Sequence, residues 1–350
     1  MTRIAAVYPV LPPHVYTQAE ITDRFADLCG GVAGRESLLR RLHASASVAT
    51  RHLALPLDRY GELDGFGASN DAFIEVASEL GAEAIVGALS EAGLLPDDVD
   101  LVISTTVTGA AVPSIEARIA AKIGLRPDVR RLPLFGLGCV AGASGLARLH
   151  DFLHASPHSV GVLLSVELCS LTVQRDDPST ANLVASGLFG DGAAAVVVVG
   201  DEVRATGPQI VDSQSHLYPD SERAMGWDIG ASGLKIVLGA EVPELVSTYL
   251  GDDVAQFLKQ HDLDLTDIST WVAHPGGPKV LQAIERSLTL PDDALELTWR
   301  SLALIGNLSS ASVLHVLRDT IDQRPPPPGS HGVLLAMGPG FCSELVLLRW

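Results

Sequence analysis

A cysteine, a histidine and an asparagine stand at three glycine-rich breaks of this chain. Cys139 lies in Phe135-Gly-Leu-Gly-Cys-Val-Ala-Gly-Ala-Ser-Gly145. An apolar run with strand character, Leu132 to Phe135, leads into it. A helical pattern follows at once, with Leu146, Leu149, Phe152 and Leu153 on one face. The thiol is therefore predicted at a helix N-terminus, where free N–H groups and the helix dipole favour a thiolate. Small neighbours leave room for a substrate, as covalent catalysis requires. A buried structural cysteine is the competing reading. His274 ends an apparent strand in Trp271-Val-Ala-His-Pro-Gly-Gly-Pro278, and Asn307 lies in Ile305-Gly-Asn-Leu-Ser-Ser-Ala311. Singly, these would be a structural hydrogen-bonder and a helix N-cap. Together the three suit acyl-thioester chemistry. The thiol would carry an acyl group, and the imidazole would pair with it as an ion pair. Imidazole and carboxamide would then donate to a thioester oxygen as an enolate develops.

Such side chains need a large scaffold, and 350 residues with 47% hydrophobic content can build one. A net charge of -18 argues against a general nucleic-acid or anionic-membrane binder. Cys29, Cys139, Cys169 and Cys342 show no metal-ligand spacing and no disulfide framework, so no metal site and a reducing, cytoplasmic setting are expected. Met1 to Val7 reads as a first strand rather than a signal peptide. Apolar runs such as Ala193 to Val199 are too short to span a bilayer.

Helical and strand patterns alternate, which predicts an α/β fold with mostly parallel central strands. Thr17-Gln-Ala-Glu20 is a capping box opening a helix that ends near Gly30. Further helices are expected over Glu36 to His43, from Asn70 to Gly93, after Pro113, after Cys139, over Leu183 to Phe189, over Val242 to Gln260, and near Pro278 and Ser309. Strands are expected at Val99 to Thr105, Ser159 to Glu167 and Gly192 to Gly200, at the approach to His274, and in a hairpin over Gly332 to Trp350. The charge-free Ala/Val run at 192–200 fits a strand buried on both faces. Gln323-Arg-Pro-Pro-Pro-Pro-Gly329 reads as a surface loop. Gly138-Cys139 with Ser144, Leu146 and Asp151 is matched by Gly306-Asn307 with Ser312, Leu314 and Asp319 at a constant offset. The match suggests a duplicated unit, with both helix N-termini facing one cavity.

With these motifs in order, the chain resembles the type III polyketide synthases, the chalcone-synthase-like branch of the thiolase superfamily. The resemblance rests on Gly138-Cys139-Val-Ala-Gly142, Gly187-Leu-Phe-Gly-Asp-Gly-Ala-Ala-Ala195, His274-Pro-Gly-Gly-Pro278, Gly306-Asn307-Leu-Ser-Ser-Ala311 and Gly338-Pro-Gly340. It implies a five-layered αβαβα thiolase fold in two duplicated halves, residues 1–205 and 206–350. A homodimer without metal or redox cofactor is implied too. It makes Cys139 the acyl-carrying nucleophile, with His274 and Asn307 promoting decarboxylation of malonyl-CoA. Phe189 matches the aromatic gate. Ile236 takes the place of a second gating phenylalanine, and Val112 that of a methionine reaching across the dimer. Cys169, Thr172 and Ser309 fall at pocket-wall positions. Arg41, Arg51, Gly277 and Lys279 are the candidate contacts for CoA. Loss of aromatic and thioether bulk at Ile236 and Val112 suggests an aliphatic cavity. The expected reaction is therefore iterative condensation of malonyl-CoA onto a fatty-acyl-CoA starter, giving an alkylresorcinol or alkylpyrone. Within the same enzyme class, a malonyl or aromatic starter giving a polyhydroxylated aromatic is the alternative. A ketoacyl-ACP synthase III-like single condensation is another, although such enzymes usually carry Gln-Ala-Asn after the histidine. A scaffold that has lost catalysis is a non-enzymatic alternative, and a cysteine hydrolase a further one.

Overall fold

The structure is a computed structural model, and it describes residues 1–28 and 34–350. Cys29 and the expected helix end near Gly30 lie outside the described residues. Among the described residues thirteen strands are present: β1 (Thr2–Val10), β2 (His14–Thr17), β3 (Thr50–Leu53), β4 (Val99–Thr105), β5 (Arg130–Leu134), β6 (Val160–Leu168), β7 (Asp191–Val199), β8 (Gln209–Leu217), β9 (Met225–Gly230), β10 (Gly233–Leu238), β11 (Ile268–Ala273), β12 (His331–Gly338) and β13 (Cys342–Arg349). The first five helices are α1 (Gln18–Leu28), α2 (Glu36–Ala44), α3 (Gly65–Ala92), α4 (Ile115–Ile123) and α5 (Ala141–Ala155). The others are α6 (Thr180–Leu188), α7 (Val242–Lys259), α8 (Pro278–Ser287), α9 (Glu296–Ile305) and α10 (Ser312–Gln323).

The capping box forms as read. Thr17 N donates to Glu20 Oε2 at 2.8 Å, and Glu20 N donates to Thr17 Oγ1 at 3.3 Å. Helix α3 starts at Gly65, ahead of the expected Asn70, and α9 was not foreseen. The α3 pattern is blurred because buried alanines and glycine sit among its larger apolar residues.

The main sheet runs β11-β12-β13-β8-β1-β7-β6-β4-β5. The expectation of mostly parallel central strands is wrong. Only β11 with β12, β4 with β6 and β4 with β5 are parallel, and the centre is antiparallel. Helix–strand alternation misled because β6 to β7 and β12 to β13 return antiparallel. The apolar run of β7 is nevertheless buried along its whole length. Its two faces are covered by different layers.

The duplication is plain in the topology. Strand β6 sits between parallel β4 and antiparallel β7, and β12 sits between parallel β11 and antiparallel β13. Helix α5 feeds β6, and α10 feeds β12. The two sets join where β1 meets β8 at Thr2–Ile210 and Arg3–Gln209. Helices α5 and α10 form the central layer, with Leu146, Leu149, Val313 and Leu317 packed against both sets of strands. Helices α3 and α4 cover one outer face through Phe73, Ile85 and Ile119. Helices α7 and α8 cover the other through Val246, Phe257 and Ile284. The result is a five-layered thiolase-like fold, with the starts of α5 and α10 side by side in the middle.

Candidate active site

Packing of the two central helices dictates the small residues around Cys139. Gly138 has φ +54, and a Cβ there would lie 2.7 Å from the Pro339 ring. A Cβ at Gly142 would lie 2.3 Å from the Ser310 carbonyl oxygen. Any side chain at either position would push the α5 turn away from Pro339 or from the α10 turn. Cys139 thus sits in a short 3-10 turn just before α5, buried at the junction of the halves.

Asn307 is set by the turn after α9. Its Oδ1 accepts the Ser309 N–H at 2.8 Å, which leaves the amide nitrogen for the sulfur of Cys139. The thiol itself points to Ser309 Oγ at 3.7 Å. His274 follows β11 directly, its N–H bonded to Leu335 O at 2.9 Å. Both its ring nitrogens are buried without a hydrogen-bond partner. Cys139, His274, Asn307 and Ser309 line one cavity of about 450 Å³.

The expected thiolate–imidazolium pair is not what this cavity favours. Burial pushes the Cys139 thiol up to about 12, against the pull of hydrogen bonds from Ser309 and Asn307. Burial alone pulls His274 down to about 3. Among the described residues no opposite charge offsets either penalty, so burial favours the neutral thiol and the neutral imidazole. Glu167, which the sequence reading missed, adds to the upward push on the thiol. It is fully buried and accepts from Val107 N at 3.1 Å, Thr108 Oγ1 at 2.9 Å and Ser310 Oγ at 2.5 Å. It fastens the turn after Asn307 to the loop after β4. One acidic residue inside an apolar strand was the signal that could have found it.

Phe189 caps α6 and pairs with Asn307 as an isolated bridge, with Asn307 N to Leu188 O at 2.9 Å and Gly190 N to Asn307 O at 3.0 Å. Beyond it lies a second cavity of about 580 Å³. The two cavities share Cys169, Phe189, Trp227 and Ile236. Phe189, Ile236 and Cys169 thus line both cavities. Thr172 lines the inner cavity, but its hydroxyl is tied to Cys169 O at 2.8 Å. Trp227 was not foreseen. It restores the aromatic bulk whose loss had suggested an aliphatic cavity. It lies on β9, a strand whose pairing with β10 faces Trp227 with Ile236.

Val112 lines neither cavity of the single chain and is 95% exposed, where a side chain reaching toward a partner subunit would also stand. One expectation needs correction. Arg51 is not a surface contact for CoA. It is 2% exposed, and its guanidinium is spent on internal carbonyls. Gly277 and Lys279 line the outer cavity near the start of α8, together with Leu42, Ser45 and Ala46 at the end of α2. Arg41 is exposed on α2 and does not line the cavity. Among the described residues, no His/Cys/Asp/Glu group has the arrangement of a metal site, and no helix is long and apolar enough to cross a membrane.

Comparison with known proteins agrees with this geometry. Residues 2–202 match the family described as chalcone and stilbene synthases, N-terminal domain, and residues 209–350 match its C-terminal domain. The chain is 55% identical over 352 residues to a 1,3,6,8-tetrahydroxynaphthalene synthase of Streptomyces peucetius subsp. caesius, covering 100% of this chain and 93% of that protein. It is 29% identical over 355 residues to a phloroglucinol synthase of Pseudomonas fluorescens, covering 100% and 99%. Among solved structures, the 1,3,6,8-tetrahydroxynaphthalene synthase of Streptomyces coelicolor superposes with a TM-score of 0.94 at 30% identity, covering 99% of each chain.

Proposed function

Because this chain belongs to the chalcone and stilbene synthase family, the type III polyketide synthases, we propose that it builds a polyhydroxylated aromatic from malonyl-CoA alone. The observation that carries the reading is the 55% identity, over the full chain, to a tetrahydroxynaphthalene synthase. Trp227 beside Ile236 supports it, since an indole at the junction of the chambers crowds a long alkyl chain. A fatty-acyl starter is therefore set aside in favour of malonyl-CoA as both starter and extender. The single-condensation, scaffold and hydrolase readings fall with family membership.

In this reading the Cys139 sulfur attacks the malonyl-CoA carbonyl as its proton passes to His274. His274 returns that proton to the departing CoA thiolate. A second malonyl-CoA places its thioester oxygen against the His274 N–H and the Asn307 amide. Its C–CO2 bond then breaks, and the electron pair becomes an enolate held by those two donors. The enolate carbon attacks the Cys139 thioester, forming the new C–C bond and freeing the Cys139 thiolate, to which the extended chain returns. The neutral state of His274 suits this role, because an imidazolium would have no basic nitrogen for the thiol proton. The orphaned ring nitrogens await the substrate oxygen. Lys279 and Arg41 supply charge for the CoA phosphates, and Gly277 main chain lines its path.

The chemistry calls for no metal or redox cofactor, since CoA thioesters provide the activated carbonyl and the leaving CO2. Cys139, Cys169 and Cys342 are free thiols, as suits work in a reducing cytoplasm. A second copy of the chain would cover exposed Val112, Leu132 and Phe135 beside edge strand β5, giving the homodimer. Purified protein incubated with malonyl-CoA alone should yield tetrahydroxynaphthalene by mass spectrometry. Product that appears only when a fatty acyl-CoA is supplied would overturn this reading.

A further inference from the structure

A helix leaves its last carbonyls without partners. At the end of α6 these belong to Ser186, Gly187, Leu188 and Phe189, and all four are satisfied from outside the helix. Arg51 Nη1 donates to Ser186 O at 2.8 Å and to Phe189 O at 2.7 Å. Gln18 Nε2 donates to Gly187 O at 2.6 Å, and Asn307 N to Leu188 O at 2.9 Å. Arg51 Nη2 donates in turn to Gln18 Oε1 at 2.8 Å, which holds the two donors to each other. The Arg51 stem also fills the space between the two turns. A Cβ at Gly306, where φ is +74, would lie 3.1 Å from Arg51 Cδ and 2.8 Å from Leu188 O. Phe189 and Asn307 therefore share one buried cation as their common backing.

We infer that Arg51, assisted by Gln18, is a positioning residue that fixes the Phe189 ring and the Asn307 carboxamide relative to each other at the mouth of the inner chamber. A fully buried guanidinium is a poor way to gain stability, because its desolvation is costly and an apolar side chain would fill the space better. Burial indeed pulls it down to about 10, opposed by the Asp191 carboxylate. What the guanidinium supplies is two directed bonds at a helix C-terminus, where the dipole favours a cation. They lock the turn that carries Phe189. The inference rests on the reading of Phe189 and Asn307 given above.

The test compares wild type with Arg51→Met, Arg51→Lys and Gln18→Ala, using malonyl-CoA. It reads decarboxylation kcat and KM, and the proportion of early-released short lactones to full-length product. Arg51→Met should lower kcat by roughly tenfold to a hundredfold, as small misplacement of reacting groups does, with KM little changed. Early-released product should rise. Gln18→Ala should do the same more weakly, and Arg51→Lys should recover part of both readouts. If Arg51→Met does not fold, Gln18→Ala and Arg51→Lys decide. Folded variants with wild-type kcat and product proportions would overturn the inference, as would a change confined to KM. A wild type that makes no product from malonyl-CoA overturns the starter reading instead. Arg51 is then scored in the same way with a fatty acyl-CoA primer.

Discussion

Acidification should unfold this protein early, and His274 should account for a measurable share of the loss. His43, His274 and His315 are buried, and burial pulls them from 6.5 down to about 3, 3 and 4. Each stays neutral in the fold while the unfolded chain takes up a proton below 6.5. Their stabilising contribution is therefore complete above pH 6.5 and is lost as pH falls toward 4. At pH 5 each histidine costs about 2 kcal/mol, at about 1.4 kcal/mol per unit, so the three cost about 6 kcal/mol. Asp191 works the other way. Burial raises it from 3.8 to about 6, so between pH 7 and 5 the folded form gains a proton that the unfolded form lacks, returning about 1 kcal/mol. Glu167, also raised by burial, offsets a further part, but the three histidines outweigh both carboxyls, and the net loss is on the order of a few kcal/mol, a large fraction of ordinary domain stability. Urea midpoints at pH 7 and pH 5 measure it. His274→Gln should lose about 2 kcal/mol less than wild type over that interval. An identical loss in wild type and variant would mean that His274 is not held neutral. The proton transfer from Cys139 to a neutral imidazole would then fail as well.

Other outcomes check the remaining steps. Alkylation of Cys139 by iodoacetamide in the free protein should quicken through pH 9 without a plateau, because the thiol is pushed up to about 12; a plateau with a midpoint below pH 7 would restore the ion pair. Cys139→Ala should abolish polyketide formation while malonyl-CoA decarboxylation stays measurable, since His274 and Asn307 remain; polyketide from this variant would remove Cys139 from its role. Asn307→Ala should cut decarboxylation by about a hundredfold or more, as loss of one oxyanion donor does, yet leave acyl loading of Cys139 detectable by intact mass. Gly138→Ala should lower stability by about 1–3 kcal/mol, since it imposes a side chain at φ +54 against Pro339; an unchanged thermal midpoint would argue against the tight turn.

Local pattern was enough to single out Cys139, His274 and Asn307, which the structure brings to one cavity. Glycines beside Cys139 and before Asn307, and the Pro-Gly-Gly after His274, mark backbone positions where no side chain fits, and such constraints are written into residue type. The same holds for the capping box of α1 and the apolar runs of β4, β6 and β7, because hydrogen bonding within a turn and burial of a strand depend on near neighbours. Strand direction was not legible. Whether β7 returns antiparallel to β6 depends on which face of the sheet the chain leaves, and residue pattern is silent on that. Arg51 looked like a surface cation because its near neighbours are polar and charged. Only the tertiary structure brings it beneath α6, 135 residues away, where orphaned carbonyls replace water. Trp227 was missed for a related reason, since the β9–β10 pairing alone faces it with Ile236. The charge states of Cys139 and His274 were also decided in three dimensions. A helix N-terminus and a basic residue in sequence favour a thiolate, but the depth at which the two halves bury the pair makes desolvation the larger effect.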